Sequence, residues 1–150
     1  MRRGIFARLA TANYLQKGRI IMIKKTWTTP MTQYYSLYAD MLKQTHLLIA
    51  GATGSGKSVV INGIITTSLR DSPAQVQYIL IDPKRVELSQ YRRLPHCIAY
   101  ASEPDSMVQA LYTALDIIEN RYRAMQRQGA RKYTGSSVYV VIDELADLMT

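Results

Sequence analysis

Five short apolar runs and two longer segments of helical periodicity follow one another along the chain. The apolar runs occupy residues 20–23, 46–50, 76–81, 97–101 and 138–142, and polar residues, glycine or proline bound them. Continuous apolar runs of this length are typical of strands that are buried on both faces. Strands that alternate with helices predict an α/β fold, with a mostly parallel sheet covered by helices on both faces.

The two helical segments have clear limits. The first extends to about Arg70, where a proline-containing turn follows. The second begins within residues 102–105 and extends to Gln128, with Gly129 as its C-terminal stop. Apolar residues recur in it every three or four positions and predict one buried face, formed by Val108, Leu111, Leu115, Ile118, Tyr122 and Met125. A further amphipathic helix is predicted within residues 1–18.

Charge divides the chain at residue 45. The chain has 150 residues, enough for one domain with a hydrophobic core, and a formal net charge of +8. Residues 1–45 hold eight basic side chains against Asp40 alone, whereas residues 46–150 are nearly neutral. We therefore predict a basic N-terminal segment, 1–45, and a separate domain, 46–150. The basic segment either contacts nucleic acid or an anionic membrane surface, or is a solvated segment without a partner, and charge alone favours neither.

Several conspicuous side chains are expected to be structural. Cys97 is the single cysteine, which excludes an intrachain disulfide and fits a reducing compartment. His46 and His96 lack metal-ligand spacing. Tyrosines that cluster among basic residues can stack on bases, but packing on a small surface is the simpler interpretation of Tyr34, Tyr35 and Tyr38. No apolar run approaches the roughly 20 residues of a membrane span.

One stretch matches a phosphate-binding loop at every fixed position. Residues 51–58 read Gly-Ala-Thr-Gly-Ser-Gly-Lys-Ser and fit G-x-x-x-x-G-K-[ST] between an apolar strand and a helix. Glycines let the backbone approach an anion, and the N-terminus of the following helix favours negative charge. Lys57 can then reach the β- and γ-phosphates, and the Ser58 hydroxyl can ligate Mg²⁺. A glycine-rich turn with an incidental lysine would not explain why these two residues stand where the helix begins.

Two acidic residues end the last apolar run. Parallel strands direct their carboxyl ends to one edge of the sheet, so Asp143 and Glu144 are expected beside the phosphate loop. Asp143 would hold Mg²⁺ near Ser58, and Glu144 would polarise the attacking water as a general base. The alternative for each is a helix cap or a surface carboxylate.

Two clusters of basic residues remain open to more than one interpretation. The turn at residues 82–88 leaves its strand at the same edge of the sheet, where its two cations could touch phosphate, a neighbouring subunit or a strand edge. Basic residues also crowd the end of the long helix, namely Arg121, Arg123, Arg127, Arg131 and Lys132. Pairing with the helix dipole and the last carbonyls is favoured there over a phosphate-contacting patch.

Together these residues resemble the FtsK/SpoIIIE family of DNA-translocating ATPases. The likeness covers about the last hundred residues. Its specific parts are the phosphate loop, the Asp82-Pro83-Lys84 turn with Glu87-Leu88 after it, Leu94-Pro95-His96, and the ending Asp143-Glu144-Leu145-Ala146-Asp147-Leu148-Met149. The resemblance implies a RecA-like motor that hydrolyses ATP with Mg²⁺ and pumps double-stranded DNA through a ring, typically a hexamer, in chromosome segregation and cell division.

The resemblance also implies the roles of individual residues. Glu144 and Lys57 would be catalytic, Ser58 and Asp143 would hold the metal, and a neighbouring subunit would supply an arginine. The nucleotide-binding residues would be Gly51, Ala52, Thr53, Gly54, Ser55, Gly56, Lys57, Ser58 and Val59. A cytoplasmic location is expected.

The family pattern continues beyond the Asp-Glu strand with a sensor strand, which lies between the phosphate-loop strand and the Asp-Glu strand. We therefore expect residues 1–150 to be a fragment of a longer motor with weak or no hydrolysis of its own, whose two flanking strands expose their edges or pair differently. Two other functions stay open. One is a related ring ATPase for conjugation or protein export, and the other is an inactive remnant that binds nucleotide or DNA.

Overall fold

The computed structural model describes residues 18–22, 46–52 and 54–145. The elements in chain order are β1 (Gly18–Met22), β2 (His46–Leu48), α1 (Lys57–Ser68), β3 (Val76–Ile81), a 3₁₀ turn (Ser89–Tyr91), β4 (Cys97–Ala101), α2 (Pro104–Gln128) and β5 (Ser137–Ile142). Every strand overlaps one of the five apolar runs, and α1 and α2 overlap the two helical segments. The helix predicted within residues 1–18 and the tyrosines at positions 34, 35 and 38 lie outside the described residues.

The described strands form one parallel sheet in the order β2-β1-β5-β3-β4. Ile142 is in register with Ile81 on one side and with Met22 on the other, and Met22 is in register with Leu48. The carboxyl ends of the strands therefore form a single rim. Whatever follows β2, β3, β4 and β5 in the sequence emerges at that rim.

Strand β1 joins the phosphate-loop strand to the Asp-Glu strand. Gly18–Met22 pairs with β2 through three residues and with β5 along its whole length. Both strands therefore pair differently from the expected pattern: β5 is paired on both sides, whereas β2 pairs with β1 alone and is an edge strand of the described sheet. The division of the chain at residue 45 stays a prediction, although part of the N-terminal segment lies in this sheet.

Two hydrophobic cores cover the two faces of the sheet, as the α/β prediction requires. On one face α2 packs against inward-pointing residues of β3 and β5, and on the other face α1 packs against the alternate residues of the same strands. The first core contains Ile79, Ile81, Val138, Val140, Ile142, Met107, Ala110, Leu111, Ala114 and Leu115. The second contains Ile61, Ile64, Ile65, Val76, Tyr78, Leu80, Leu88, Tyr139 and Val141, among others.

The limits of α2 follow from its terminal residues. Pro104 begins the helix, and Gly129 ends it in the left-handed conformation, with a φ of 60°. The buried face is centred on Met107, Leu111 and Ala114 rather than on the larger residues alone, since small alanines let the helix approach the sheet closely. Of the six residues that the periodicity predicts to be buried, Leu111 and Leu115 are buried, and the other four lie only partly buried, namely Val108, Ile118, Tyr122 and Met125.

Candidate functional site

The phosphate-binding loop connects the end of β2 to the start of α1. Gly54 and Gly56 both have left-handed backbone conformations, with φ values of 81° and 89°. Side chains rarely tolerate that region, so the loop takes its tight course because these two positions are glycine. The Ser55 N–H donates to the Ala52 carbonyl over 3.2 Å and closes the turn. Thr53, also predicted to bind nucleotide, lies outside the described residues.

Among the residues that the structure describes, no side chain caps the N-terminus of α1. The helix begins after Gly56, which has no side chain to cap it, and its first turn contains no acidic residue. The long helix α2 differs, because the Ser106 hydroxyl accepts the Glu103 N–H over 3.0 Å and Asp105 lies in the first turn. Among the described residues, no side chain therefore accepts from the first N–H groups of α1, and anion binding at this helix start stays a prediction.

Lys57 and Asp143 lie in contact at the rim of the sheet. The Lys57 Nζ donates to the Asp143 backbone carbonyl over 2.7 Å and lies 2.8 Å from its carboxylate Oδ1. Two residues that are 86 positions apart therefore meet, as the shared rim predicts. Burial raises the pKa of Asp143, and the hydrogen bond and charge of Lys57 oppose that rise. The negative charges of Asp82 and Glu87 raise the pKa further.

Glu144 pairs with Lys84 of the Asp-Pro-Lys turn. The Lys84 Nζ lies 3.3 Å from Glu144 Oε2, in a more exposed position than the Lys57–Asp143 pair. Sequence reasoning placed both residues at one rim but did not predict this contact. The pairing of β3 with β5 would have revealed it, because Ile81 and Ile142 are in register and Lys84 and Glu144 follow them closely.

Asp82 fixes the conformation of the turn. Its side chain is fully buried, and its carboxylate accepts the Leu88 N–H over 3.0 Å. Its backbone carbonyl accepts the Arg85 N–H over 3.1 Å, and Arg85 takes a left-handed conformation with a φ of 58°. A non-glycine residue holds such a conformation only where its surroundings enforce it. Asp82 is therefore a structural acid that presents Lys84 and Arg85 on a fixed loop.

Arg121 is an exception to the interpretation of the basic helix end. The expectation of pairing with the dipole and last carbonyls of α2 is wrong for this residue, because its guanidinium turns inward. It donates to the Ser136 carbonyl over 2.8 Å and lies 4.5 Å from the Tyr133 ring centre. Burial lowers the pKa of Arg121. Arg123 and Arg127 are exposed.

The histidine at position 96 and the cysteine beside it support the fold. His96 is buried, and its Nε2 lies 2.9 Å from the Asp71 carbonyl. Cys97 borders the core beneath α1, and burial raises the pKa of its thiol. A thiol with a raised pKa is a poor nucleophile, which agrees with the structural role expected for it.

Three features define the class of protein. The sheet is parallel, a glycine loop leads into a helix that no described side chain caps, and the buried Asp143 contacts the lysine of that loop. These are the features of a P-loop nucleotide-binding protein. Within the class of P-loop proteins, the amino-acid sequence matches one family. The model of the FtsK/SpoIIIE family matches residues 29–137, and the chain belongs to this family.

The curated relatives are bacterial DNA translocases. The chain is 40% identical to the DNA translocase FtsK of Lactococcus lactis subsp. cremoris, over 73% of this chain and 17% of the relative. It is 40% identical to the DNA translocase SpoIIIE of Bacillus subtilis, over 76% and 17%. It is 41% identical to the DNA translocase FtsK of Listeria monocytogenes, over 76% and 18%. The chain thus spans about a sixth of the length of these relatives.

No solved structure matches the chain. In the part of the chain that the structure describes, neither helix has the combination of length and apolar character needed to cross a membrane.

Proposed function

We propose that this chain binds ATP with Mg²⁺ and is the nucleotide-binding part of a motor that moves double-stranded DNA. The observation that carries the proposal is the meeting of Lys57, at the uncapped start of α1, with the buried Asp143. That arrangement places a cation, free N–H groups and a carboxylate around one point on the rim of the sheet.

The loop would bind the phosphates of the nucleotide. Residues 51–59 supply backbone N–H groups, and Gly54 and Gly56 let that backbone curve closely around an anion. Lys57 contacts Asp143 in the described structure. A phosphate in the loop would compete with Asp143 for this ammonium group and draw it toward the nucleotide.

The residues present fit a magnesium ion. Mg²⁺ is usually held by one or two protein oxygens together with the phosphates of its substrate, rather than by a full protein cage. Ser58, at the start of α1, and Asp143 would supply those oxygens. Among the described residues, no group of three or more His, Cys, Asp or Glu side chains is placed to hold a metal ion. When bound, the ion would neutralise charge on the phosphates.

Glu144 would act as the general base. Its carboxylate, which lies 3.3 Å from Lys84 Nζ, is a group that can accept a proton from water. The partly exposed position of Glu144 leaves it accessible to water at the rim.

The relatives support the nature of the substrate. Their names describe DNA translocases, and the match extends over most of this chain. We propose double-stranded DNA as the polymer that is moved, a ring, typically a hexamer, as the working assembly, and a cytoplasmic location for the motor.

Nucleotide binding by the purified chain tests the proposal directly. A fluorescent ATP analogue is titrated against wild type, Lys57→Ala and the control Lys132→Ala, which removes an exposed lysine elsewhere. We expect Lys57→Ala to bind about 100-fold more weakly because its ammonium group no longer pairs with phosphate, and the control to bind as wild type does. Equal affinity in Lys57→Ala and wild type would refute the site.

The role of Glu144 is tested separately. Glu144→Gln is nearly isosteric but cannot accept a proton as a carboxylate does, so it should retain nucleotide affinity and lose turnover. Hydrolysis is measured as phosphate release with and without duplex DNA, in a chain completed through the sensor strand, because residues 1–150 alone are expected to hydrolyse ATP weakly or not at all. Unchanged turnover in Glu144→Gln would exclude it as the base, whatever the binding result for Lys57→Ala.

A further inference from the structure

A cleft opens at the rim, near the edge strand β4 and away from the phosphate loop. It has a volume of about 650 Å³. We name it the arginine pocket. Its walls are formed by Arg85, Arg92, Arg93, Tyr100, Ser102 and Glu103, with Ser89 and Gln90 beside them. The pocket joins two separate parts of the chain, the β3–β4 connection and the residues that follow β4.

Charge in the arginine pocket is strongly unbalanced. Arg85 forms an ion pair with Glu103, which is the single acidic side chain of the lining. Arg92 and Arg93 are exposed, and among the residues that the structure describes neither takes part in an ion pair. Within the described part of the chain, these two guanidinium groups therefore line the cleft without a carboxylate partner. Such an arrangement attracts an anion, and guanidinium suits phosphate in particular.

The loop that carries these arginines is firmly held. At one end the buried carboxylate of Asp82 binds the Leu88 N–H, and the Leu88 side chain is fully buried. In its middle the Tyr91 hydroxyl donates to Asn62 Oδ1 of α1 over 2.5 Å. The Leu94 N–H then donates to the Tyr91 carbonyl over 3.1 Å. The positions of the arginines are thus built into the fold rather than left to a free loop.

We infer that the arginine pocket binds the phosphodiester backbone of DNA. The inference rests on the proposed function for its choice of polymer. Exposed guanidinium groups at an open surface suit a backbone that runs past them, whereas a small ligand is usually enclosed. The half-buried ring of Tyr100 offers an aromatic surface beside the phosphate contacts.

The arginine pocket lies on the same loop as a residue that contacts the proposed general base. Lys84, which pairs with Glu144, and Arg85, which lines the pocket, are consecutive residues of the loop fixed by Asp82. The same loop contacts α1, the helix of the phosphate site, through Tyr91 and Asn62. DNA in the pocket would therefore lie against the loop that contacts both halves of the nucleotide site.

The test is DNA affinity of the full chain by fluorescence anisotropy with a labelled duplex of about 30 base pairs, long enough to cover the pocket. Wild type is compared with Arg92→Gln/Arg93→Gln and with a matched control, Arg127→Gln/Arg131→Gln. The control removes the same charge from exposed positions at the far end of α2 and just beyond it. Titrations run from about 50 to 200 mM salt, the range over which phosphate binding weakens steeply, and thermal melts check that each variant is folded.

The pocket variant should bind DNA at least about tenfold more weakly at low salt. The slope of log affinity against log salt should be smaller by about 2, one for each phosphate that the variant no longer neutralises. The control should stay within about threefold of wild type, since non-specific attraction alone would weaken both variants equally. Equal losses in the two variants, unchanged affinity in the pocket variant, or no DNA binding by wild type would each overturn the inference.

Nucleotide titration of the same variants separates this inference from the proposed function. Arg92→Gln/Arg93→Gln should bind the ATP analogue as wild type does, because neither residue belongs to the phosphate loop or to the Lys57–Asp143 pair. Normal nucleotide binding with undiminished DNA binding would refute the arginine pocket alone. Absence of nucleotide binding in wild type would refute the proposed function instead.

Discussion

The two ion pairs at the rim place similar charges in different surroundings. Lys57 and Asp143 have side chains that are 19% and 3% exposed, whereas Lys84 and Glu144 are 57% and 33% exposed. In the first pair both Lys57 and Asp143 lose hydration, and burial raises the pKa of Asp143 although Lys57 lies beside it. The second pair stays close to water, where attraction is weak and screened by salt. Removing one partner of the Lys57–Asp143 pair, the inner pair, is thus expected to be costly. The Lys84–Glu144 pair, the outer pair, can separate at little cost in free energy.

Removing Lys57 should affect stability most. Lys57→Met would leave the Asp143 carboxylate buried without a cation, which costs about 3 kcal/mol of unfolding free energy at pH 7. Because the pKa of Asp143 would rise further, the folded state would bind more protons than the unfolded state above the ordinary pKa. The unfolding free energy of the variant should therefore increase as the pH falls toward about 4.

Urea unfolding at several pH values measures this effect, and the double variant Lys57→Met/Asp143→Asn is its control. Replacing the unpaired Asp143 carboxylate in the double variant should restore most of the unfolding free energy that Lys57→Met loses at pH 7. A loss that the second substitution does not repair would mean that Lys57 contributes mainly through its packing.

Removing Asp143 should change the unfolding free energy less than removing Lys57 does. Asp143→Asn leaves Lys57 without its carboxylate, but that ammonium is partly exposed and can reach water. The raised pKa of Asp143 means that its charge lowers wild-type stability as the pH rises above about 4, where the unfolded carboxyl ionises. The variant should lie within about 1 kcal/mol of wild type at pH 7, or above it, and lose the benefit of Mg²⁺ for nucleotide affinity.

The measurement compares the two unfolding free energies between about pH 4 and pH 8. Their difference should move in favour of Asp143→Asn as the pH rises, and then level off above the pKa of the folded protein. A variant that is less stable than wild type by about 3 kcal/mol at pH 7 would show that the inner pair is a net stabilising contact.

Local structure was predictable here, and contacts across the sheet were not. Continuous apolar runs located β3 and β4 to the residue, and Gly129 marked the end of α2, because burial and capping act within a few residues. The meeting of Lys57 with Asp143 followed from the common rim of parallel strands.

The order of the strands depends on pairing between distant segments. The place of β1 between β2 and β5 could not be predicted from the apolar run at residues 20–23, which shows a strand but not its neighbours. The contact of Lys84 with Glu144 and the arginine pocket both depend on which strands lie beside β3. A short motif indicates the chemical role of its own residues. Which distant residues they contact depends on the order of the strands in the whole sheet.

Breaking the outer pair, Lys84–Glu144, should lower the unfolding free energy least. The dependence of that loss on salt shows whether the contact is screened by solvent. Lys84→Met removes a cation that is more than half exposed, so the unfolding free energy should fall by no more than about 0.5 kcal/mol at low salt. At about 1 M salt, where the screening length is about 3 Å, wild type and variant should unfold alike. Glu144→Gln breaks the same pair from the other side and should give a matching small loss. A loss above about 2 kcal/mol, or one that high salt leaves unchanged, would make Lys84 a fixed part of the fold. A small, screened contact instead leaves the Glu144 carboxylate able to exchange its partner for water, which a general base requires.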